Sequence, residues 1–154
     1  MDFGDIALRL GVATLIGGLI GMDRYTHHKS IGVRTLGLVA LGSASLVTAS
    51  LAVTGPAFDA SGASRIIQGL ITGIGFIGAG VIMRSETNHK VHGLTTAATA
   101  WIAAIAGVIC GLGAWPVAIL MSGLIALLLL AGGRLEKWLT RHDPAGEDGA
   151  HPRE

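Results

Sequence analysis

From Val91 to Gly133 the chain reads VHGLTTAATAWIAAIAGVICGLGAWPVAILMSGLIALLLLAGG, 43 residues without an aspartate, glutamate, lysine or arginine. The hydrocarbon core of a bilayer is about 30 Å thick and asks for roughly 20 apolar residues per helix, so this run is about twice as long as one crossing needs. Its middle, Gly111-Leu112-Gly113-Ala114-Trp115-Pro116, carries turn residues. Glycine past a helix end and proline shortly beyond it mark a stop and a restart. The stretch therefore predicts two crossings joined tightly, at about 94–112 and 115–132.

Working outward, no charged residue falls between Arg34 and Asp59 or between Arg65 and Arg84. These runs predict crossings at about 35–54 and 66–84. A further apolar run, Ile6 to Met22, contains Arg9, whose methylene stem can lie in apolar surroundings while its head reaches the interface. With Asp2 and Asp5 ahead of that run and no Ala-x-Ala-like site after it, it reads as a first mature helix, about 5–22, and not as a cleaved signal. The expected fold class is all-α, a polytopic bundle of five transmembrane helices over residues 1–139, followed by a short loose tail over 140–154. The composition agrees, with 51% hydrophobic and only 14% charged residues where a soluble surface uses roughly a quarter.

Alternate loops divide the basic residues unequally. Arg24, Lys29, Arg34, Arg84, Lys90, Arg134, Lys137, Arg141 and Arg153 fall on one side, and Arg9 and Arg65 on the other. The positive-inside rule then predicts a cytoplasmic C-terminus and an outside N-terminus. A net charge of +1 argues against a nucleic-acid partner, which a concentrated basic field would attract. Membrane lipid is the expected surrounding partner, with the basic helix ends meeting headgroups. Cys110 is the only cysteine, so no internal disulfide framework or cysteine metal cluster forms, and its expected role is packing.

Glycine occurs 24 times, often within the predicted helices. Lipid supplies no hydrophobic drive between helices, so close backbone approach becomes the useful property. The expected packing positions are Gly17 and Gly21, then Gly69, Gly73, Gly75, Gly78 and Gly80, then Gly93, Trp101, Gly107 and Gly111. Thr96, Ala100, Ala103, Gly107 and Gly111 form a narrow stripe on the fourth helix. Gly73-Ile74-Gly75-Phe76-Ile77-Gly78 also matches a dinucleotide-binding string, but it lies inside an apolar span without the strand and acidic residue such a site requires.

The polar candidates gather at helix ends. Asp23 stands beside Arg24 and near Arg34 and Thr35, as a helix-end ion network or a place to accept a cation. His27 and His28 are adjacent, and His89 and His92 lie three apart near Glu86, without the spacing of a helical two-histidine metal pair; no metal site and no cofactor is expected. Arg65 and Gln68 open the third helix, with Ser61 or Ser64 as its expected cap and Arg65 left for a headgroup or for Asp59. Thr95 and Thr99 share a face of the fourth helix and Thr96 is rotated from it; their hydroxyls suit local carbonyls, a neighbouring helix, or a polar recess with Arg34 or Arg84. Trp115 and Trp138 fit interface positions. No nucleophile, base and orienting group stand at a recognisable catalytic spacing.

Taken in order, Gly21-Met22-Asp23-Arg24, Gly32-Val33-Arg34-Thr35, Ser64-Arg65, Gly73 to Ile82 and Gly93 to Trp101 resemble the membrane domain of the MgtC/SapB family, from about Gly17 to Gly113. The resemblance implies a multi-pass protein of the bacterial inner membrane, linked to magnesium limitation, whose best-known member looks like a restraint on the membrane ATP synthase. It highlights Asp23, Arg24, Arg34, Thr35, Arg65, Gly73, Gly75, Gly78, Gly80, Gly93, Thr95, Thr96 and Trp101. Asp23 stands where the family commonly has glutamate, and Tyr25 where many members repeat an acid. The larger member has a C-terminal soluble domain in place of the short tail, so a role that depends on that domain does not transfer.

The leading expectation is a non-enzymatic regulatory or partner-binding membrane protein, with ATP synthase as a possible partner. The alternatives are a cation or small-solute transporter using Asp23, Arg65 and the threonines, and a structural homo-oligomer joined through glycine stripes.

Overall fold

The computed structural model describes residues 1–26, 31–84 and 91–141; for 23–26, 56, 83–84, 91–92, 129–130 and 132–141 the backbone alone is described. Five helices follow one another: α1 (Phe3–Thr26), α2 (Val33–Thr54), α3 (Ala60–Val81), α4 (Leu94–Leu112) and α5 (Trp115–Arg141). A 3₁₀ turn, Gly55–Ala57, joins α2 to α3, and a two-residue ribbon, β1 (Met83–Arg84) with β2 (Val91–His92), stands between α3 and α4. Four helices are long and apolar enough to cross a membrane, and α5 carries a shorter apolar stretch, Trp115–Leu128. The protein is thus an all-α polytopic membrane bundle.

Several boundaries differ from the sequence expectation, each for a local reason. The third helix starts at Ala60, six residues earlier than the apolar run, because Asp59 caps it: its side chain accepts from the Gly62 N–H at 2.8 Å. That carboxylate takes the place predicted for Ser61 or Ser64. The same helix ends at Val81 instead of running to 84, since Ile82 is extended and leads into the antiparallel ribbon, Met83 opposite His92 and Arg84 opposite Val91. Gly93 then starts α4 with φ of +91°, where a side chain would be strained and a Cβ would collide with the Val81 carbonyl. At the far end α5 continues to Arg141, past the expected 132. The tail predicted over 140–154 lies, from 142 onward, outside the described residues.

The core sits between α1, α2 and α4, with Ala118 of α5 closing one end. One cluster joins Ile20, Ile31, Leu36, Ala100 and Ala103; another joins Ala13, Ala44, Cys110 and Ala118. Alanines and glycines dominate it because the helix backbones nearly touch. A Cβ on Gly17 would lie 2.5 Å from the Leu36 carbonyl oxygen and 2.7 Å from the Ala40 Cβ. One on Gly21 would meet the Val33 Cα at 2.5 Å, one on Gly107 would collide with the Ala40 carbonyl, and one on Gly111 would lie 2.9 Å from that of Ala44. Pairing Gly107 with Ala40 and Gly111 with Ala44 also sets α2 and α4 running in the same direction.

α3 is different. Of its residues Ile74 alone is buried, and Phe76 is 85% exposed. Gly78 is in ordinary contact range of Ala97, but around Gly69, Gly73, Gly75 and Gly80 there is open space. Those four glycines were expected to pack against neighbouring helices. Among the described residues they do not, because α3 leans on α4 along one side and the rest of its surface is left uncovered by those residues.

Candidate functional site

Three groups of polar residues are placed by this frame. The first was not anticipated as a unit. At the end of α4, Gly113 adopts φ of +72°, its N–H bonds to the Cys110 carbonyl at 2.9 Å, and the Ala114 N–H reaches back to that of Ile109 at 3.1 Å. This left-handed stop satisfies two of the last carbonyls of the helix. The Gly111 carbonyl is taken by Arg9, whose Nη1 donates to it at 2.7 Å. Arg9 Nε in turn donates to both Asp5 carboxylate oxygens at 3.1 Å, one turn earlier on α1. A Cβ on Gly113 would stand 2.8–2.9 Å from the guanidinium, so the glycine provides both the turn and the space for the arginine. A cation at a helix C-terminus is also favoured by the helix dipole. Arg9 reads in the sequence as a residue reaching for headgroups; its i,i+4 spacing from Asp5 was the available signal that it is held instead.

The second group is a set of buried hydroxyls. Thr96 and Thr99 are buried on the inner side of α4, and Thr99 Oγ1 donates to the Thr96 carbonyl at 2.7 Å. Thr95 is exposed. The pairing of Thr95 with Thr99 on one working face is therefore corrected: the inward residues are Thr96 and Thr99, spaced i,i+3. A recess shared with Arg34 does not form, as Arg34 and Thr35 are both exposed; the Arg84 side chain lies outside the described residues. Ser43 and Thr48 on α2 are also buried, and Thr48 Oγ1 is the one buried side-chain oxygen without a partner among the described residues.

The third group is the arginines on open surfaces. Arg34 lines a groove of about 590 Å³ between α1 and α2, with Thr14, Gly18 and Gly37. Arg65 lines another, of about 390 Å³, between α2 and α3. Arg65 is exposed and makes no ion pair among the described residues; Asp59, its expected partner, is engaged as the α3 cap. Gln68 donates to Ser64 Oγ at 3.3 Å. Trp101 is 42% exposed and lines an apolar groove of about 300 Å³ with Ile67, Ile71 and Ile105, between α3 and α4. Asp23 and Arg24 lie in the last turn of α1, where only the backbone is described. His27, His28 and His89 lie outside the described residues, as does the His92 side chain. Among the described residues no three of His, Cys, Asp and Glu gather where a metal would sit.

Fold and polar groups together define a polytopic membrane bundle whose centre is apolar and hydroxyl-bearing. The chain belongs to the MgtC family: the family model matches residues 10–138. It is 38% identical over 148 residues to Protein SrpB of Synechococcus elongatus, covering 90% of this chain and 81% of that protein. It is 48% identical over 106 residues to Protein MgtC of Salmonella typhimurium and 45% identical over 104 residues to that of Brucella abortus, matching 69% and 68% of this chain. The chain spans 43% and 41% of the length of those two MgtC proteins. No solved structure matches it.

Proposed function

We propose that this protein is a non-enzymatic regulator of the bacterial inner membrane that acts by binding another membrane protein. The observation that carries the reading is the filling of the bundle centre. Leu36, Ala40, Ala44, Ala100, Ala103 and Cys110 are fully buried there, and the buried polar side chains among the described residues are hydroxyls alone. A path for ions or charged solutes through a membrane protein is lined by ionisable groups or ordered backbone carbonyls around water. Here α1, α2 and α4 are in backbone contact where such a path would run. That favours a surface function over transport, and the apolar groove between α3 and α4 offers surface to a partner helix.

Family membership supports the membrane ATP synthase as the first partner to test and magnesium limitation as the condition under which binding matters. In this reading the bundle has five crossings, an outside N-terminus and a cytoplasmic C-terminus. The test is co-reconstitution of the purified protein with ATP synthase in vesicles. ATP-driven proton uptake should fall as the protein is added, and undiminished uptake at molar excess removes this partner. Crosslinking in native membranes that captures no specific protein at low or high magnesium would remove the partner-binding reading itself.

A further inference from the structure

We propose that the groove between α2 and α3 is a binding site for an anionic phospholipid, its phosphate held by Arg65 and one acyl chain lying over Gly69 and Gly73. The groove has a charged head and an apolar body: it is lined by Arg65, then Ile66, Gly69, Leu70, Gly73 and Ile74 along α3, with Leu46 from α2. Neither glycine has any atom within 4 Å of where its Cβ would stand, so the floor is bare backbone and open.

The depth of Arg65 decides the ligand. α3 and α4 are antiparallel, with Gly78 beside Ala97. Counting back along both helices brings Arg65 level with the last turn of α4. Leu46 gives the same level independently, since its neighbours Ala44 and Val47 flank Gly111. This is the end at which Arg9 closes on the Gly111 carbonyl, and α4 is 19 residues long, about 28 Å, close to the thickness of the apolar slab. Arg65 therefore stands at the boundary where phosphates lie, while Arg9, at the same level, is already committed to Asp5 and Gly111. From Arg65 the groove descends nine residues to Ile74, about 13 Å into the hydrocarbon, a direction and length suited to an acyl chain.

Charge selects the headgroup. Guanidinium matches phosphate geometry and binds it through paired hydrogen bonds. A zwitterionic lipid brings its own ammonium close to that phosphate, so a lipid with net negative charge is preferred. Charge also disfavours a second copy of the chain as the occupant. A two-fold pairing of α3 with α3 in the same membrane orientation would bring together at one level two Arg65 side chains that make no ion pair among the described residues, while the nearest carboxylates, Asp59 and Asp5, are engaged with the Gly62 N–H and with Arg9.

The site is independent of whether a protein partner binds. The test is native mass spectrometry of the delipidated full chain titrated with phosphatidylglycerol and with phosphatidylcholine of the same acyl chains. Wild type should retain one phosphatidylglycerol per chain with a preference of about fivefold over phosphatidylcholine. Arg65→Gln should abolish the preference and Arg65→Lys should keep most of it. Gly73→Leu, which fills the floor, should lose the retained lipid, whereas Gly75→Leu, on the opposite face of α3, should keep it; thermal unfolding of each variant shows that it is folded. An unchanged preference in folded Arg65→Gln, retention in folded Gly73→Leu, or a dimer that excludes phosphatidylglycerol would each overturn the proposal.

Discussion

Two arginines at one depth of the bundle have opposite fates, and the difference lies in their nearest acids. Arg9 is one helical turn from Asp5, which orients it toward the carbonyl of Gly111; the acid nearest Arg65 in sequence, Asp59, is occupied at a helix start. Arg9→Gln should therefore leave the Gly111 carbonyl without its charged donor and destabilise the bundle by about 1–3 kcal/mol, read as a shift in denaturant midpoint in detergent. Arg65→Gln should move that midpoint little. Glycines divide in a similar way. Gly107→Ala places a methyl against the Ala40 carbonyl and should cost about 1–3 kcal/mol by overpacking, while Gly73→Ala, in open space, should be neutral within about 0.5 kcal/mol. Equal losses at Gly107 and Gly73 would mean that the α3 glycines are also in backbone contact. Small-residue spacing alone marks both kinds of glycine as packing positions. What separates them is which helix has neighbours, and that is a tertiary fact.

At the scale of elements, the helices were legible and their ends were not. The uncharged runs place four of the helices and an apolar run that holds Arg9 places the first, because exclusion of charge from about 30 Å of hydrocarbon acts on composition directly. Helix ends obey capping chemistry instead. Asp59, Ser61 and Ser64 are all chemically able to cap α3, and the sequence does not say which carboxylate or hydroxyl meets a free N–H. The β ribbon at 83–84 and 91–92 was missed for a related reason: two pairs of residues carry no period that a pattern could show. Since Asp59 is the cap, Asp59→Ala should cost about 0.5–2 kcal/mol and Asp59→Asn much less, with Ser61→Ala and Ser64→Ala near neutral. Loss of the first turns of α3, including Arg65, should accompany the alanine change and appear as faster amide exchange over residues 60–65. If the serine variants prove the costlier ones, the cap has been misplaced.

For the whole molecule, the basic residues make one orientation far cheaper than the other. If all five helices cross, nine lysines and arginines of the sequence are assigned to the side of the α1–α2 and α3–α4 connections, against two on the side of the 3₁₀ turn. Retention of lysine and arginine in the cytoplasm during insertion should hold the first side inside. Five crossings then put residue 2 outside and residue 154 inside, an arrangement that neither four nor six crossings can produce. The chain lends itself to the measurement, as its sole cysteine, Cys110, is fully buried and should resist a membrane-impermeant maleimide. In a Cys110→Ala background, Asp2→Cys and Ala57→Cys should be labelled in intact spheroplasts, and Glu154→Cys only after permeabilisation. Labelling of Asp2→Cys and Glu154→Cys from the same side would make the number of crossings even and remove α1 or α5 from the membrane. Inverse labelling of all three would keep five crossings but reverse them, and would put the Arg65 groove in the cytoplasmic leaflet.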